Sequence, residues 1–445
     1  MRLLLILLLA GCAGARPAAP GWRAGTGRAT ITPAEPLMMA GYGSRNKPSE
    51  GVAADLWARA LALEDGEGRR ALIVTADIIE FDPVQSPKIK EELRRRHGLG
   101  PGQVLLVGSH THSGPNVDEK TSYPALFRAG VLQAAERALA GLEPASLSFG
   151  RGSARLGMNR RVKHPDGSWR FGKEPAGATD PDLPMLRVAT ASGLKALVYT
   201  YACHCTSVRN RFEGFYRIHP DWAGASSIVE AARPGLQAMF VTGCGGDIDP
   251  QPTGALDVAE AHARTMAAAL EEGLAKSEFR PVDGPLALKL RRIELPVDRP
   301  SREAYAKQAE SAKGADQAFA KEMLAKLDAG SAPLKLDYPI AVWEFGRSLA
   351  LVGLAGETCV DYALRLKREA GGRELWVAGY CNEVACYIPS ERVLDEGGYE
   401  AGWHIQTGRG LAAMQMAWAG FPAPFAPGIE DRIVRTVHEM LGERP

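Results

Sequence analysis

Three short runs made wholly of apolar residues decide what this chain can become: Ala71-Leu72-Ile73-Val74, Val104-Leu105-Leu106-Val107 and Ala238 to Val241. A strand with one wet face alternates apolar and polar residues, whereas a continuous apolar run of this length reads as a strand covered on both faces. Helical patterns lie between them. Ser86-Pro87 opens one helix and Gly98 stops it, and others are expected over Ala125 to Ala140, Asp221 to Ala232 and Leu256 to Lys276. This alternation predicts an α/β core. A short β run precedes it at Arg28 to Pro33. Leu56 to Leu63 and Arg70 to Thr75 pair across a turn at Glu64 to Gly68, and Lys195 to Tyr201 is a further strand. The later part holds strands at Leu286 to Ile293, Ile340 to Phe345, Leu349 to Leu354 and Leu375 to Ala378, before an amphipathic helix at Ile429 to Leu441. The expected architecture is therefore a mixed β-sheet core with flanking helices. The charged segment Ser301 to Leu327 is expected as one helix, read as a solvated face, with a lid or partner face as the alternative.

The start, MRLLLILLLAGC, is a short basic beginning followed by an apolar run too brief to span a bilayer. Leu9-Ala10-Gly11-Cys12 resembles a bacterial lipobox, so Cys12 is the expected lipidated residue and membrane anchor. Ordinary leader cleavage and secretion is the alternative. The expected division is a leader and tether over 1–20, then one hydrolase domain over 21–445, placed in the cell envelope. The formal charge of +1 on 445 residues gives no nucleic-acid footprint. Arg94-Arg95-Arg96 is read as a solvated helix end. Six further cysteines (203, 205, 244, 359, 381 and 386) sit in or beside the motifs below, as buried thiols or as bridges.

Chemistry-bearing residues gather where strands end, which is where ligands bind in α/β folds. Ser109 to Pro115 reads Ser-His-Thr-His-Ser-Gly-Pro. In extended backbone His110 and His112 would share one side, to bind a metal or to move protons. Ala202-Cys203-His204-Cys205-Thr206-Ser207 offers His204 as the better ligand, because alternation turns the two cysteines away. Val241 to Pro250 is a glycine-rich loop carrying Asp247 and Asp249, either a tight turn or a close approach to substrate. It lacks the Lys-Ser/Thr of a phosphate loop, which excludes nucleotide binding. Gly356-Glu357-Thr358 and Asn382 to Ile388 add a carboxylate and a tyrosine.

Taken together, these motifs resemble the neutral/alkaline (non-lysosomal) ceramidase family. His-Thr-His-Ser-Gly-Pro is similar to its histidine motif and Cys-His-Cys-Thr-Ser to its second. Gly-Glu-Thr and Asn-(x)4-Tyr-Ile stand where the family places its last two zinc ligands. The resemblance implies a ceramidase-like catalytic domain in which His110, His204, Glu357 and Tyr387 bind Zn2+, His112 lies beside the metal, and Arg160 faces substrate, with Arg161 the competing register. Two departures stand out. The family's loop serine is Asp249 here, so a serine nucleophile is not available at that position. No C-terminal immunoglobulin-like domain is expected.

The implied chemistry is zinc-dependent hydrolysis of an amide in a lipid or N-acylated substrate by metal-activated water. His112 is the expected proton donor to the amine, and Asp249 the expected general base or partner of a cationic substrate group. Asp77 and Asp221 are considered as residues that orient the ligand histidines, with helix capping the alternative for Asp221. The rival readings are a zinc hydrolase acting on a glycan- or peptide-derived amide or ester, an inert cell-surface binding protein, and an amidohydrolase-type barrel.

Overall fold

The computed structural model describes residues 21–442, so the leader and Cys12 lie outside the described residues. Among those described, no helix is long and apolar enough to cross a membrane.

Two sheets stack face to face. The larger runs Gln237–Thr242, Gly193–Tyr201, Asp182–Thr190, Glu143–Ser153, Trp22–Thr30, Trp57–Glu64, Arg70–Ala76, Val104–Gly108, with Arg280–Val282 paired onto Glu143–Ser153. The smaller runs Leu286–Pro296, Lys335–Phe345, Leu349–Leu354, Glu374–Ala378. Leu61, Ile73, Leu105, Val198 and Val241 of the first meet Trp343, Leu351 and Trp376 of the second in a buried layer. The outer face of the large sheet is covered too. Leu72, Val74 and Leu106 pack with Phe127 and Val131 of helix Tyr123–Ala140, and Leu197, Tyr199 and Phe240 pack with Met266 and Leu270 of helix Leu256–Lys276. Helices Val360–Glu369 and Ile429–Leu441 cover the small sheet through Tyr362, Leu366, Ile433 and Val437. Apolar cover on both faces is why those runs carry no polar alternation.

Within these two sheets most neighbours are antiparallel, but three pairs are parallel: Arg70–Ala76 with Val104–Gly108, Gly193–Tyr201 with Gln237–Thr242, and Leu349–Leu354 with Glu374–Ala378. The antiparallel remainder overturns the amidohydrolase-type barrel, which needs an all-parallel ring. The large sheet curls until its edge strands meet. The Thr242 hydroxyl donates to the Gly108 carbonyl at 2.7 Å. The carboxyl ends of the parallel pairs thereby face one place.

Several local expectations change. Ser301 to Leu327 is two helices, Arg302–Ser311 and Gly314–Asp328, because Gly314 takes a φ of 63° at the break. Their inner sides pack Tyr305, Ala320 and Met323 together, so the segment is not merely solvated. Asp221 to Ala232 starts as a 3-10 turn, Asp221–Gly224, before the α-helix Ala225–Ala232. The strands Glu143–Ser153, Gly157–Lys163, Trp169–Glu174 and Asp182–Thr190 carry enough polar residues to escape the apolar pattern. All six described cysteines are buried free thiols. Arg94, Arg95 and Arg96 pair with Glu91, Glu92 and Glu136 on the exposed end of helix Gln85–His97.

Leu106 is fully buried in the strand that leads to His110. Leu106→Ala is expected to lower unfolding stability by about 2–5 kcal/mol through the cavity it leaves. Denaturant titration with an unchanged midpoint would contradict this account of the core.

A candidate metal centre at the strand ends

Each site residue leaves the end of a strand, and backbone hydrogen bonds sew the departing loops together. Val104–Gly108 leads to His110, whose φ of 61° turns the chain sharply. Thr111 pairs with Cys205 as an isolated parallel bridge, and the His112 N–H donates to the Cys205 carbonyl at 3.1 Å. The His204 N–H donates to Ile248 O at 3.0 Å. Glu357 pairs with Tyr387 in a two-stranded parallel ladder. The Gly246 N–H donates to Thr358 O at 2.9 Å, tying the glycine loop to the glutamate. A Cβ at Gly245 would lie 2.6 Å from Cys203 N, and one at Gly246 would lie 2.6 Å from Glu357 O. The glycines therefore serve backbone packing against the ligand-bearing loops; the close approach they permit is not to a ligand.

The four expected ligands converge. Glu357 Oε2 lies 3.1 Å from both His110 Nε2 and His204 Nε2. Tyr387 Oη lies 3.2 Å from His204 Nε2. His112 Nε2 is 3.3 Å from His110 Nε2, and one nitrogen from each of the three histidines falls within 4.8 Å of the others. Such separations match neighbouring ligands around an ion with bonds of ~2.1 Å.

The tautomers make the case for a cation sharper. His110 Nδ1 lies 2.8 Å from Ile79 O, and His204 Nδ1 lies 2.7 Å from Gly245 O. A carbonyl only accepts, so each Nδ1 carries a proton and each Nε2 is turned inward, where it can offer a lone pair to an ion. With both Nε2 atoms unprotonated, two lone pairs and a carboxylate oxygen at 3.1 Å would repel one another unless positive charge sat among them. The donor set of imidazoles, carboxylate and phenol suits a divalent ion of the zinc type.

The local electrostatics agree. Burial alone would raise the Glu357 carboxyl, but His110 and His204 hold it well below the usual carboxylate range. Burial, then His110 and His204, push the His112 imidazole well below its ordinary value, which leaves it neutral. Burial raises the Tyr387 phenol, opposed by the Arg160 guanidinium.

Arg160, not Arg161, faces the site, because a bulge between Asn159 and Arg161 sends successive arginines to different partners. Arg160 donates to Tyr387 Oη at 3.0 Å, to Asp249 Oδ1 at 3.1 Å and to Glu400 Oε1 at 2.8 Å. Arg161 turns to Glu396 and Glu400. Asp249 also accepts from Thr206 Oγ1 at 3.1 Å and pairs with Arg209. Burial would raise its carboxyl, yet Arg160 and Arg209 hold it well below the usual range. A carboxylate so stabilised is a poor proton acceptor and has no charge to spare for substrate. The geometry thus argues against Asp249 as general base and gives it a positioning part.

Three other expectations change. His110 and His112 do share a pocket, but through the left-handed turn at His110 and not through extended alternation. Asp77 accepts from the Trp57 N–H and pairs with Arg59, and Asp221 accepts from the Ser207, Val208 and Trp222 N–H groups. Neither carboxylate contacts a ligand imidazole; backbone carbonyls do that orienting. Cys203 and Cys205 lie in the apolar layer with Tyr201 and Trp222, turned away from the ligands as alternation predicts. Sequence reasoning missed Glu400, Arg209, Tyr399 and Tyr380. The Tyr380 hydroxyl lies 3.5 Å from Glu357 Oε2, and its ring centroid is 4.6 Å from that of His110. Its position just after the apolar strand Glu374–Ala378 was the available signal. Outward from the cluster runs a cleft of about 430 Å³, lined by Met39, Tyr42, Glu80, Val384, Tyr399 and Trp418 among others.

The family resemblance drawn from the motifs is borne out. Residues 22–233 match the family model described as neutral/alkaline non-lysosomal ceramidase, N-terminal. Neutral ceramidase of Pseudomonas aeruginosa is 29% identical over 277 residues, covering 56% of this chain and 40% of that protein. Neutral ceramidase A of Dictyostelium discoideum is 28% identical over 210 residues, covering 42% of this chain and 29% of that protein. These matches therefore span less than half the length of either relative. The crystal structure of neutral ceramidase from P. aeruginosa superposes with a TM-score of 0.70 at 22% identity, covering 96% of this chain and 75% of that one. A ceramidase complexed with C2 superposes equally well over 95% of this chain and 76% of that one. The mixed α/β fold is thus that of the ceramidases.

Removing a donor should empty the centre. His110→Ala and Glu357→Ala, purified beside wild type, are expected to lose the bound divalent ion, while Cys203→Ala keeps it. Full metal stoichiometry in both ligand variants, read by elemental analysis, would dismiss the assignment.

Proposed function

We propose that this ceramidase-like chain is a zinc-dependent hydrolase that cleaves the amide of an amphiphilic, N-acylated substrate by attack of water. The observation that carries the reading is the pair of inward Nε2 atoms facing Glu357 Oε2 at 3.1 Å, with Tyr387 Oη beside them. His110, His204, Glu357 and Tyr387 are the proposed holders of the ion. When bound there, a zinc ion lowers the pKa of water toward ~7 and polarises a carbonyl.

The chain's own residues supply the rest. His112 is neutral and sits 3.3 Å from His110 Nε2, within reach of the reaction centre. It accepts the proton lost by the attacking water and returns it to the departing amine, so that a free amine leaves in place of an anion. The Arg160 guanidinium, 3.0 Å from Tyr387 Oη, adds positive field beside the ion-holding residues, where it would favour negative charge growing on the carbonyl oxygen. Asp249 and Glu400 hold Arg160 on either side, which fixes its orientation. Met39, Val384 and the 66% exposed Trp418 give the otherwise polar cleft an apolar part that suits an acyl chain and supports a lipid-like substrate. Export on a lipidated Cys12 would bring the enzyme to such substrates, and is part of the proposal.

Ceramide and short N-acyl amines are expected to be hydrolysed with one ion bound, activity being lost on chelation and restored by Zn2+. Purified protein that holds the ion yet cleaves no member of an amide and ester panel would favour the inert binding protein instead. His112→Ala should keep the ion while kcat falls about 10²–10⁴-fold. Asp249→Asn should also keep it and lower kcat by roughly 10–100-fold, as for other residues that orient a site. Full activity in Asp249→Asn would remove its positioning part.

A further inference from the structure

The cleft contains a second carboxylate that the proposed reaction does not use. Glu80 follows the strand Arg70–Ala76 by four residues, and its neighbour Ile79 supplies the carbonyl that orients His110. Its side chain lines the same cleft as His110, His112 and Glu357. Every other carboxylate near the centre has an obvious counterpart. Glu357 has the two imidazoles, Asp249 has Arg160 and Arg209, and Glu400 has Arg160 and Arg161. Among the described residues Glu80 has no cationic or hydrogen-bonding partner, and the cleft lining contains neither lysine nor arginine. The same lining carries Met39, Val384, Ala385 and Cys386 beside the polar side chains of the centre.

A carboxyl group drawn into a cleft without a counter-charge or hydrogen-bond donor costs free energy unless a ligand supplies what the protein withholds. Burial first, then the Glu357 and Asp82 carboxylates, push its pKa up to about 8, as expected of an acid without a counter-charge. We infer that Glu80 is a specificity residue that selects, among N-acylated substrates, those carrying an ammonium group near the scissile amide and rejects those carrying a carboxylate. The cationic-group recognition expected of Asp249 thus falls to a residue some way along the cleft, because Asp249 is neutralised by two guanidiniums. An ammonium entering beside Glu80 would stabilise its ionised form and supply the counter-charge that the lining lacks. A substrate carboxylate at the same place would oppose that ionisation and gain no ion pair.

The inference rests on the hydrolase reading, and its test separates the two. The zinc-loaded wild type, Glu80→Gln and Glu80→Lys are assayed for kcat/KM on N-acyl amides of one chain length whose amine part ends in an ammonium, a hydroxyl or a carboxylate. Metal content is measured on the same samples. The wild type should prefer the ammonium over the carboxylate, Glu80→Gln should reduce that ratio by about tenfold, and Glu80→Lys should invert it. Inversion cannot come from simple loss of folded enzyme, since damage lowers all three substrates together. If the wild type cleaves the amides but the ratio is the same in all three proteins, Glu80 is not the selector and the hydrolase reading stands. If the wild type cleaves none, the hydrolase reading fails; competition of dodecylammonium against dodecanoate for the cleft then decides the inference, and equal binding of the two by wild type and Glu80→Lys would overturn it.

Discussion

The hydrogen bond from Thr242 Oγ1 to the Gly108 carbonyl joins strands at opposite edges of one curled sheet. Around it the other strand ends are fastened in the same way. The Gly379 N–H reaches Thr242 O at 3.0 Å, and the Asn382 N–H reaches Leu106 O at 2.7 Å. Without this closure, positions 110, 204, 357 and 387 would leave their strands in different directions. With it, side chains separated by up to 277 positions meet within a few ångströms. The cost is visible in the backbone. His110, Tyr380, Asn382 and Asp221 all adopt positive φ without being glycine. Each such residue costs on the order of 1–3 kcal/mol, and such strain persists only where the surroundings over-determine it. The apolar layers on both faces of the large sheet supply that determination, so packing and site geometry are one problem here.

The choice of backbone carbonyls to orient the ligand imidazoles follows from where those imidazoles sit. Ile79 O and Gly245 O belong to segments already locked by the closure, so each ring inherits the rigidity of the sheet. A carboxylate in the same role would add negative charge beside Glu357 and would need its own neutralisation. Asp77 and Asp221, the carboxylates nearest in sequence pattern, are instead consumed by main-chain N–H groups and Arg59. The centre therefore holds one carboxylate, Glu357, among its imidazoles and phenols, a donor set of small negative charge that a divalent cation would balance.

How much of this was legible in the sequence depends on what each residue had to say locally. The buried strands were legible because apolar cover on both faces leaves an unbroken apolar run, and helix Ile429–Leu441 because its apolar side recurs with helical period. The strands Trp169–Glu174 and Gly157–Lys163 were not, since Arg160 and Arg161 are buried by ion pairing and read as surface residues. His110, His112, His204 and Glu357 were legible as motifs at strand ends. Glu400 was not: it sits in a turn region, and its meaning lies wholly in two arginines some 240 positions earlier. The partners of Asp249 were hidden for the same reason. A sequence shows a carboxylate, but not the two guanidiniums that fix its charge.

That last point bears on why an aspartate is tolerated where the family pattern has serine. Arg160, Arg161 and Arg209 stand against Asp249, Glu400 and Glu396 in one connected set, which Glu396 extends to Arg392. Arg160 is nearly solvent-free, and a buried guanidinium lacking its share of negative charge would be strongly unfavourable. A serine at 249 would leave Arg160 with Glu400 alone, a carboxylate it already shares with Arg161, and would leave Arg209 without this ion pair. The aspartate returns that negative charge and holds the Arg160 plane so that one of its nitrogens meets Tyr387 Oη. It thereby fixes the guanidinium behind the tyrosine while neutralising part of its field, so orientation and not added charge is what the aspartate contributes.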